Sequence, residues 1–218
     1  MRLIGKWLNA GVIEGRDLSY SDEGTPQGGV ISPLLANIYL HDVLDEWFVR
    51  DVQPALVGRA VLVRYVDDFV VLFDRRQDAE RFLAVLPKRF GKYGLTLHPD
   101  KTRMVPFRRP DRVDDGDDRP ETFNFLGFTH YWGLSRKPTP KGKPREKRWY
   151  AMQKTAKDRL SRTLRRLSEW CRWHRHDPLE TQHDMLVKKL EGHYGYFGIT
   201  GNYSALAKVF YAVKRIWR

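Results

Sequence analysis

The sequence of 218 residues holds a single cysteine, Cys171. One thiol rules out an internal disulfide and any zinc site built on cysteine pairs, and a reducing, cytoplasmic setting is the default expectation. Long apolar runs are lacking too. No stretch approaches the ~18 residues of a membrane span, so no membrane partner is expected. The opening residues, Met1 to Leu8, have no secretion-signal core. Acid is scarce in one place only. Residues 136–176 hold 15 of the 39 Lys/Arg and 3 of the 27 Asp/Glu, and elsewhere the two signs balance. The whole net charge of +12 therefore lies in that segment. A basic stripe this concentrated is the footprint of a polyanion partner.

What the chain does have is Arg64-Tyr65-Val66-Asp67-Asp68-Phe69, set between Val61-Leu62-Val63 and Val70-Val71-Leu72-Phe73. β-Branched runs on either side of a short polar break predict a hairpin. Asp67 and Asp68 would project at its tip, where clustered carboxylate oxygens suit Mg²⁺ or Mn²⁺. The chain carries its own comparison. Asp114-Asp115-Gly116-Asp117-Asp118 has more acid but no flanking strands, and reads as a solvated loop.

Upstream, Pro26-Gln27-Gly28-Gly29 is a turn whose backbone can be approached closely. It could hold phosphate at a helix start, but it lacks the spacing of a Walker or dinucleotide loop. Ser32 as N-cap and Pro33 at the first helical position predict a helix to about Phe48. Its first half, Leu34 to Tyr39, is apolar nearly all round and is expected to be buried. Its second half carries a Leu40, Val43, Leu44, Trp47 stripe. Ala79, Phe82, Leu83 and Leu86 predict another helix, ending at Pro87. Leu95 and Leu97 alternate as in a strand, with Lys101 past a Pro99 turn. Residues 106–120 read as a loop, and Phe123 to Phe128 as a strand broken by Gly127.

Beyond a basic linker the chain reads as three helices. The first carries Met152, Ala156, Leu160, Leu164, Leu167 and Cys171 on one face, with Lys154, Lys157, Arg162, Arg165 and Arg166 largely on the other. Asp177-Pro178 opens a second helix, with Leu179, Leu186 and Leu190. Gly192, Gly195, Gly198 and Gly201 interrupt it. Asn202 opens a third, with Leu206, Val209, Phe210, Val213 and Trp217 inward. Cys171 reads as a core residue. His174 and His176 lack a third metal ligand nearby. The fold class is α+β: an antiparallel sheet with helices on one face, then a helical unit.

Four collinear stretches, Gly24 to Leu40, Arg64 to Phe69, Leu95 to Thr102 and Phe123 to Phe128, closely resemble group II intron reverse transcriptases (maturases). The tail, with Gly195-Tyr196-Phe197-Gly198 and Gly201-Asn202, resembles that family's thumb. The resemblance implies residues 1–133 as a partial polymerase palm, 134–149 as a basic linker and 150–218 as a thumb/maturase domain. It implies RNA-templated DNA synthesis by two metals, Mg²⁺ or Mn²⁺, with RNA, an RNA–DNA duplex and deoxynucleoside triphosphates as partners. Asp67 would be the main metal ligand and Asp68 its neighbour. Gln27, Gly28 and Tyr65 would lie against nucleotide and template, Lys101 near the phosphates, and Phe123 to Phe128 under the primer end. Lys154, Lys157, Arg162, Arg165 and Arg166 would follow nucleic-acid backbone.

The match also departs from the family. A third metal-binding Asp, in a motif of the type Asp-x-x-x-x-Phe-Asp upstream of the Pro-Gln-Gly loop, is expected, and no stretch here fits it. The fingers, placed further upstream still, have no counterpart. The expectation is a truncated or split enzyme, completed by an upstream polypeptide and unable to polymerise alone. The alternatives are a non-catalytic RNA-binding maturase remnant and a retron or diversity-generating type of reverse transcriptase. Gly24 to Leu40 and the thumb pattern argue against the last.

Overall fold

The computed structural model describes residues 6, 12–14, 17–19, 31–110, 120–134 and 149–217. Mixed helices and small antiparallel sheets make the α+β class expected of the chain. Two compact units divide at Met104/Val105. Gln27, Gly28 and the Asp114 to Asp118 run lie outside the described residues.

In the first unit, β1 (Val12–Glu14) and β2 (Asp17–Ser19) form a short antiparallel pair. Helix α1 (Ser32–Leu40) has Ile31 at its N-cap and Ser32 as its first residue, one position off the expected Ser32 cap. Pro33 lies in the first turn, where its fixed φ and missing N–H cost nothing. The helix does not stop at Phe48. It widens into π-helical turns over His41–Glu46 and Phe48–Val52, then tightens to a 3₁₀ turn at Gln53–Ala55. The expected stripe faces inward: Val43, Leu44, Phe48 and Val52 are buried, with Leu40 and Trp47 packed against them. Leu34 to Tyr39 departs from expectation. No residue of α1 is buried, and Leu34 and Ile38 are each 56% exposed. All-round apolarity gave no facing direction, and the helix seats through Asn37, Tyr39 and Leu40 at its C-terminal half and through its extension.

Strands β3 (Ala60–Tyr65) and β4 (Asp68–Phe73) pair from Ala60↔Phe73 to Tyr65↔Asp68. Ala60, Leu62, Phe69, Val71 and Phe73 turn to the core. Val61, Val63, Tyr65 and Leu72, on the other face, are 45–63% exposed.

Helix α2 (Arg76–Lys92) buries Phe82, Leu86 and Phe90 against the hairpin and the α1 extension. It runs through Pro87 instead of ending there. Proline forfeits the bond to the Leu83 carbonyl and crowds it, at about 3 kcal/mol. Burial of Leu86 and Phe90, on either side of Pro87, offsets this at roughly 2 kcal/mol each. Leu95 and Leu97 pack on this core while Thr96 and His98 are exposed, so the alternation is real. Among the described residues no strand pairs with it, and the segment is coil.

Asp78, 1% exposed, accepts hydrogen bonds from the N–H groups of Val57 and Gly58 at 3.3 and 2.8 Å. It fixes the loop that delivers β3. Asp78→Ala leaves two backbone donors without their acceptor and should cost about 2–3 kcal/mol in urea unfolding.

The second unit opens with coil over 105–110. A three-stranded sheet of β5 (Phe123–Phe125), β6 (Phe128–Leu134) and β7 (Trp149–Thr155) follows. Gly127 does not merely break a strand. Leu126 and Gly127, at φ 49° and 78°, form a two-residue hairpin turn, and two positive φ values are what a type I′ turn needs. The stretch from Tyr150 begins as strand, where helix was expected. Met152 pairs with Tyr131 and Thr155 with Phe128. The 3–4 residue spacing of Met152 and Ala156 had mimicked a helix, and pairing with β6 overrides it.

Three helices complete the unit: α3 (Lys157–Trp173), α4 (Leu179–Phe197) and α5 (Tyr203–Ile216). Leu167, Leu186, Val209 and Val213 form their core, flanked by Leu160, Leu164, Trp170, Cys171, Leu190 and Trp217. Cys171 is thus a packing residue as expected, its thiol pushed up by burial. Phe210 was expected inward but is 49% exposed, and Leu179 is 70% exposed. Gly192 and Gly195 do not interrupt α4. The helix continues to Phe197, which packs with Tyr196 on Phe128.

Asn202, 1% exposed, joins sheet to helices. Its Oδ1 accepts from the Thr155 N–H at 2.8 Å, and its Nδ2 donates to Thr155 Oγ1 at 2.7 Å and to the Phe197 carbonyl at 2.8 Å.

Candidate active site and nucleic-acid surface

Three of the sequence-predicted site residues meet at the β3–β4 tip. Tyr65 closes β3 and Asp68 opens β4 as its direct partner, with Val66 and Asp67 between them. Opposed residues share a face, so Tyr65 and Asp68 lie with Val61, Val63 and Leu72 on the uncovered side. Only Val66 of the two turn residues has positive φ, 57°. A β-branched residue in the left-handed region is a genuine outlier, costing on the order of 1–3 kcal/mol. Asp67 and Asp68 are exposed. Among the described residues neither carboxylate is engaged in an ion pair or hydrogen bond, so their hard oxygens are free to accept a cation. The donor set fits Mg²⁺ or Mn²⁺ in type. It stops at two carboxylates, because no third His, Cys, Asp or Glu joins a ligand group among the described residues.

Lys101 stands apart from the tip in the chain, exposed on a turn closed by hydrogen bonds from the Lys101 and Thr102 N–H groups to the His98 carbonyl.

Sequence reasoning missed the support beneath the tip. Arg64 points to the core side of β3, where its side chain is 12% exposed. It pairs with Asp45 through two bonds, which hold the Asp45 carboxyl below the usual carboxylate range. It also reaches Asn37 and the Val66 carbonyl. The signal was present in the alternation: Ala60, Leu62 and Arg64 share a face, and the last of them is charged.

In the second unit Lys154 lies on β7 with its ammonium 4.8 Å from the Tyr131 ring centroid. Lys157 is the first residue of α3, and Arg162, Arg165 and Arg166 are exposed along that helix. They flank the inward stripe of Leu167, which is buried, and Leu160 and Leu164, which are partly buried. Asp158, 3.9 Å from Arg162, is an acid within this group, at the helix N-terminus. Trp173, 83% exposed, ends the same helix. Cations interleaved with exposed rings suit phosphate contact and base stacking. Among the described residues His174 and His176 join no group of three metal-ligating side chains. His174 pairs with Asp177 at 2.7 Å, and Arg175 Nε donates to His176 at 2.9 Å.

The hairpin Phe123 to Phe128 is buttressed from behind. The Tyr196 hydroxyl donates to the Leu126 carbonyl at 2.9 Å, and the Ala156 N–H to that of Gly127, also at 2.9 Å. Phe123 stacks on His130, 4.7 Å between centroids. Burial holds the His130 imidazole below its usual pKa.

Comparison with known proteins bears on the family. The family profile for reverse transcriptase (RNA-dependent DNA polymerase) matches residues 1–130. The group II intron-encoded protein LtrA of Lactococcus lactis subsp. cremoris is 55% identical over 49 residues, 22% of this chain and 8% of LtrA. An uncharacterized 91 kDa protein in the cob intron of Schizosaccharomyces pombe is 53% identical over 64 residues, 29% of this chain and 8% of that protein. The retrovirus-related Pol polyprotein of the type-1 retrotransposable element R2 from Popillia japonica is 32% identical over 151 residues, 59% of this chain and 24% of its own length. The aligned segments thus span only a small part of these relatives. The chain belongs to the reverse transcriptase family, and within it the resemblance is to the group II intron members.

Proposed function

We propose that this chain carries the metal-binding hairpin of an RNA-directed DNA polymerase of group II intron type, together with an RNA-gripping helical unit. The observation that carries the reading is the tip of β3–β4: two exposed, unengaged carboxylates, Asp67 in a strained two-residue turn and Asp68 opening β4, with the turn tied to a helix through Arg64. In this reading residues 1–133 are palm, 134–149 a basic linker and 150–218 thumb. Asp67 is the principal ligand and Asp68 its neighbour. Divalent cations bound there would act on the attacking and leaving oxygens of phosphoryl transfer. Tyr65, with Gln27 and Gly28, lies against template and nucleotide, and Lys101 offsets phosphate charge. The third carboxylate and the fingers come from a segment upstream of Gly24, on a separate polypeptide or in a longer form of the chain.

The test is primer extension on an RNA template with Mg²⁺. The chain alone should give no sustained synthesis. Supplying a polypeptide with the family's fingers and Asp motif should restore it, and Asp67→Asn should then reduce it by about 10³-fold or more. Robust synthesis by the chain alone would sink the split-site reading, and synthesis undiminished by Asp67→Asn would sink the ligand assignment. A second reading, RNA binding without catalysis, is favoured by the concentration of net charge in residues 136–176.

A further inference from the structure

Arg64 occupies a position where the β3 pattern calls for an apolar side chain. Such a placement is costly unless the charge is fully paired. Here the guanidinium makes four hydrogen bonds. Nε and Nη2 grip the Asp45 carboxylate at 2.8 and 2.5 Å. Nη1 donates to Asn37 Oδ1 at 2.8 Å and to the Val66 carbonyl at 2.7 Å. Asn37 is itself fixed, its Nδ2 donating to the Pro33 carbonyl at 3.0 Å. Three ties therefore run to one helical run, and the fourth runs to the peptide that carries Asp67.

That peptide is the strained one. Val66 holds φ 57° with a branched side chain, where glycine is the ordinary choice. Left to itself such a turn relaxes, and the carboxylates next to it lose a fixed direction. We propose that Arg64 is the positioning residue of the metal-binding tip: it latches the Val66 carbonyl to the helix and so presents Asp67 and Asp68 to a divalent cation. This rests on the metal-site reading of those two carboxylates.

The sign of the effect separates a latch from a plain ion pair. Arg64 is a cation beside a cation site. Removing it and leaving Asp45 behind should, by charge alone, tighten metal binding. Removing a latch should weaken it. The experiment is a Mn²⁺ titration of the isotopically labelled chain, following paramagnetic broadening of the Asp67 and Asp68 amide signals. Arg64→Ala should weaken binding about fivefold, equivalent to ~1 kcal/mol of released turn strain, while the Phe82 and Leu86 signals persist. Val66→Gly added to Arg64→Ala should recover at least half of the loss, since glycine takes positive φ freely. If Arg64→Ala loses the core signals, Arg64→Gln carries the same readout. Unchanged or tighter Mn²⁺ binding in the folded variant would overturn the latch. A wild-type chain in which Mn²⁺ leaves Asp67 and Asp68 unbroadened would instead overturn the metal-site reading, and the latch with it.

Discussion

Reversing three charges on α3, with Arg162→Glu, Arg165→Glu and Arg166→Glu together, should abolish RNA binding. The three side chains are exposed and lie off the Leu160, Leu164, Leu167 stripe that seats the helix, so the fold has no need of them. Phosphate contacts release counterions, and each lost contact lowers the slope of log K against log salt by about 0.7–0.9. The triple variant should therefore bind about 100-fold more weakly or worse, with a slope shallower by about 2–3. Fluorescence anisotropy with a labelled structured RNA, repeated across a salt series, measures both. An unchanged affinity would mean that the charge in residues 136–176 serves solubility. A weaker affinity at an unchanged slope would mean that the arginines act through structure and not through phosphate. The arrangement favours direct contact, because Lys154 and Lys157 continue the series at the junction of β7 and α3.

The largest stability effect should come from Asn202→Ala. Asn202 serves strand and helix at once: it satisfies the Thr155 N–H at the end of β7, bonds the Thr155 hydroxyl, and donates to the Phe197 carbonyl at the end of α4. Truncation strands a buried donor and an acceptor and opens a small void. Together these should cost about 3–4 kcal/mol, read as a shift in urea midpoint. Asn202→Asp is the informative companion. Its carboxylate can still accept from the Thr155 N–H and hydroxyl, but it cannot donate to the Phe197 carbonyl and it buries a charge. Losses of similar size in both variants would identify the amide as a two-way connector. A near-silent Asn202→Ala would show that sheet and helices are held by the Phe128, Tyr196 and Phe197 cluster instead.

Those two predictions also show what sequence alone reveals. The basic face was legible because charge and apolar spacing on α3 separate cleanly. The hairpin was legible because β-branched runs flank Asp67 and Asp68. Asn202 could be read as a helix start, but not as a bridge 47 residues back to Thr155, since that partnership exists only in three dimensions. β7 failed for a related reason. Trp149 to Thr155 is mostly exposed, so burial imposes little period-2 pattern, and its strand state is set by pairing with β6. Pro87 misled in the opposite direction. A local helix breaker was outweighed by Leu86 and Phe90, whose burial no local rule could weigh. Arg64 left a trace in the strand alternation, but its purpose required sight of Asp45 and Val66 together.

The uncovered side of the β3–β4 hairpin bears on how the protein behaves in a tube. Val61, Val63, Tyr65 and Leu72 form an apolar patch on a sheet of two strands. Water-facing surfaces of that kind, on a hairpin with no third strand among the described residues, favour sticking between copies, by edge pairing or face stacking. The counterweight lies in the other unit, where the net charge of +12 is concentrated and keeps molecules apart at low ionic strength. Salt screens that repulsion within about 8–10 Å and leaves the apolar patch untouched. Purification in high salt, the usual way to strip bound nucleic acid, therefore removes the protection while the adhesive face remains.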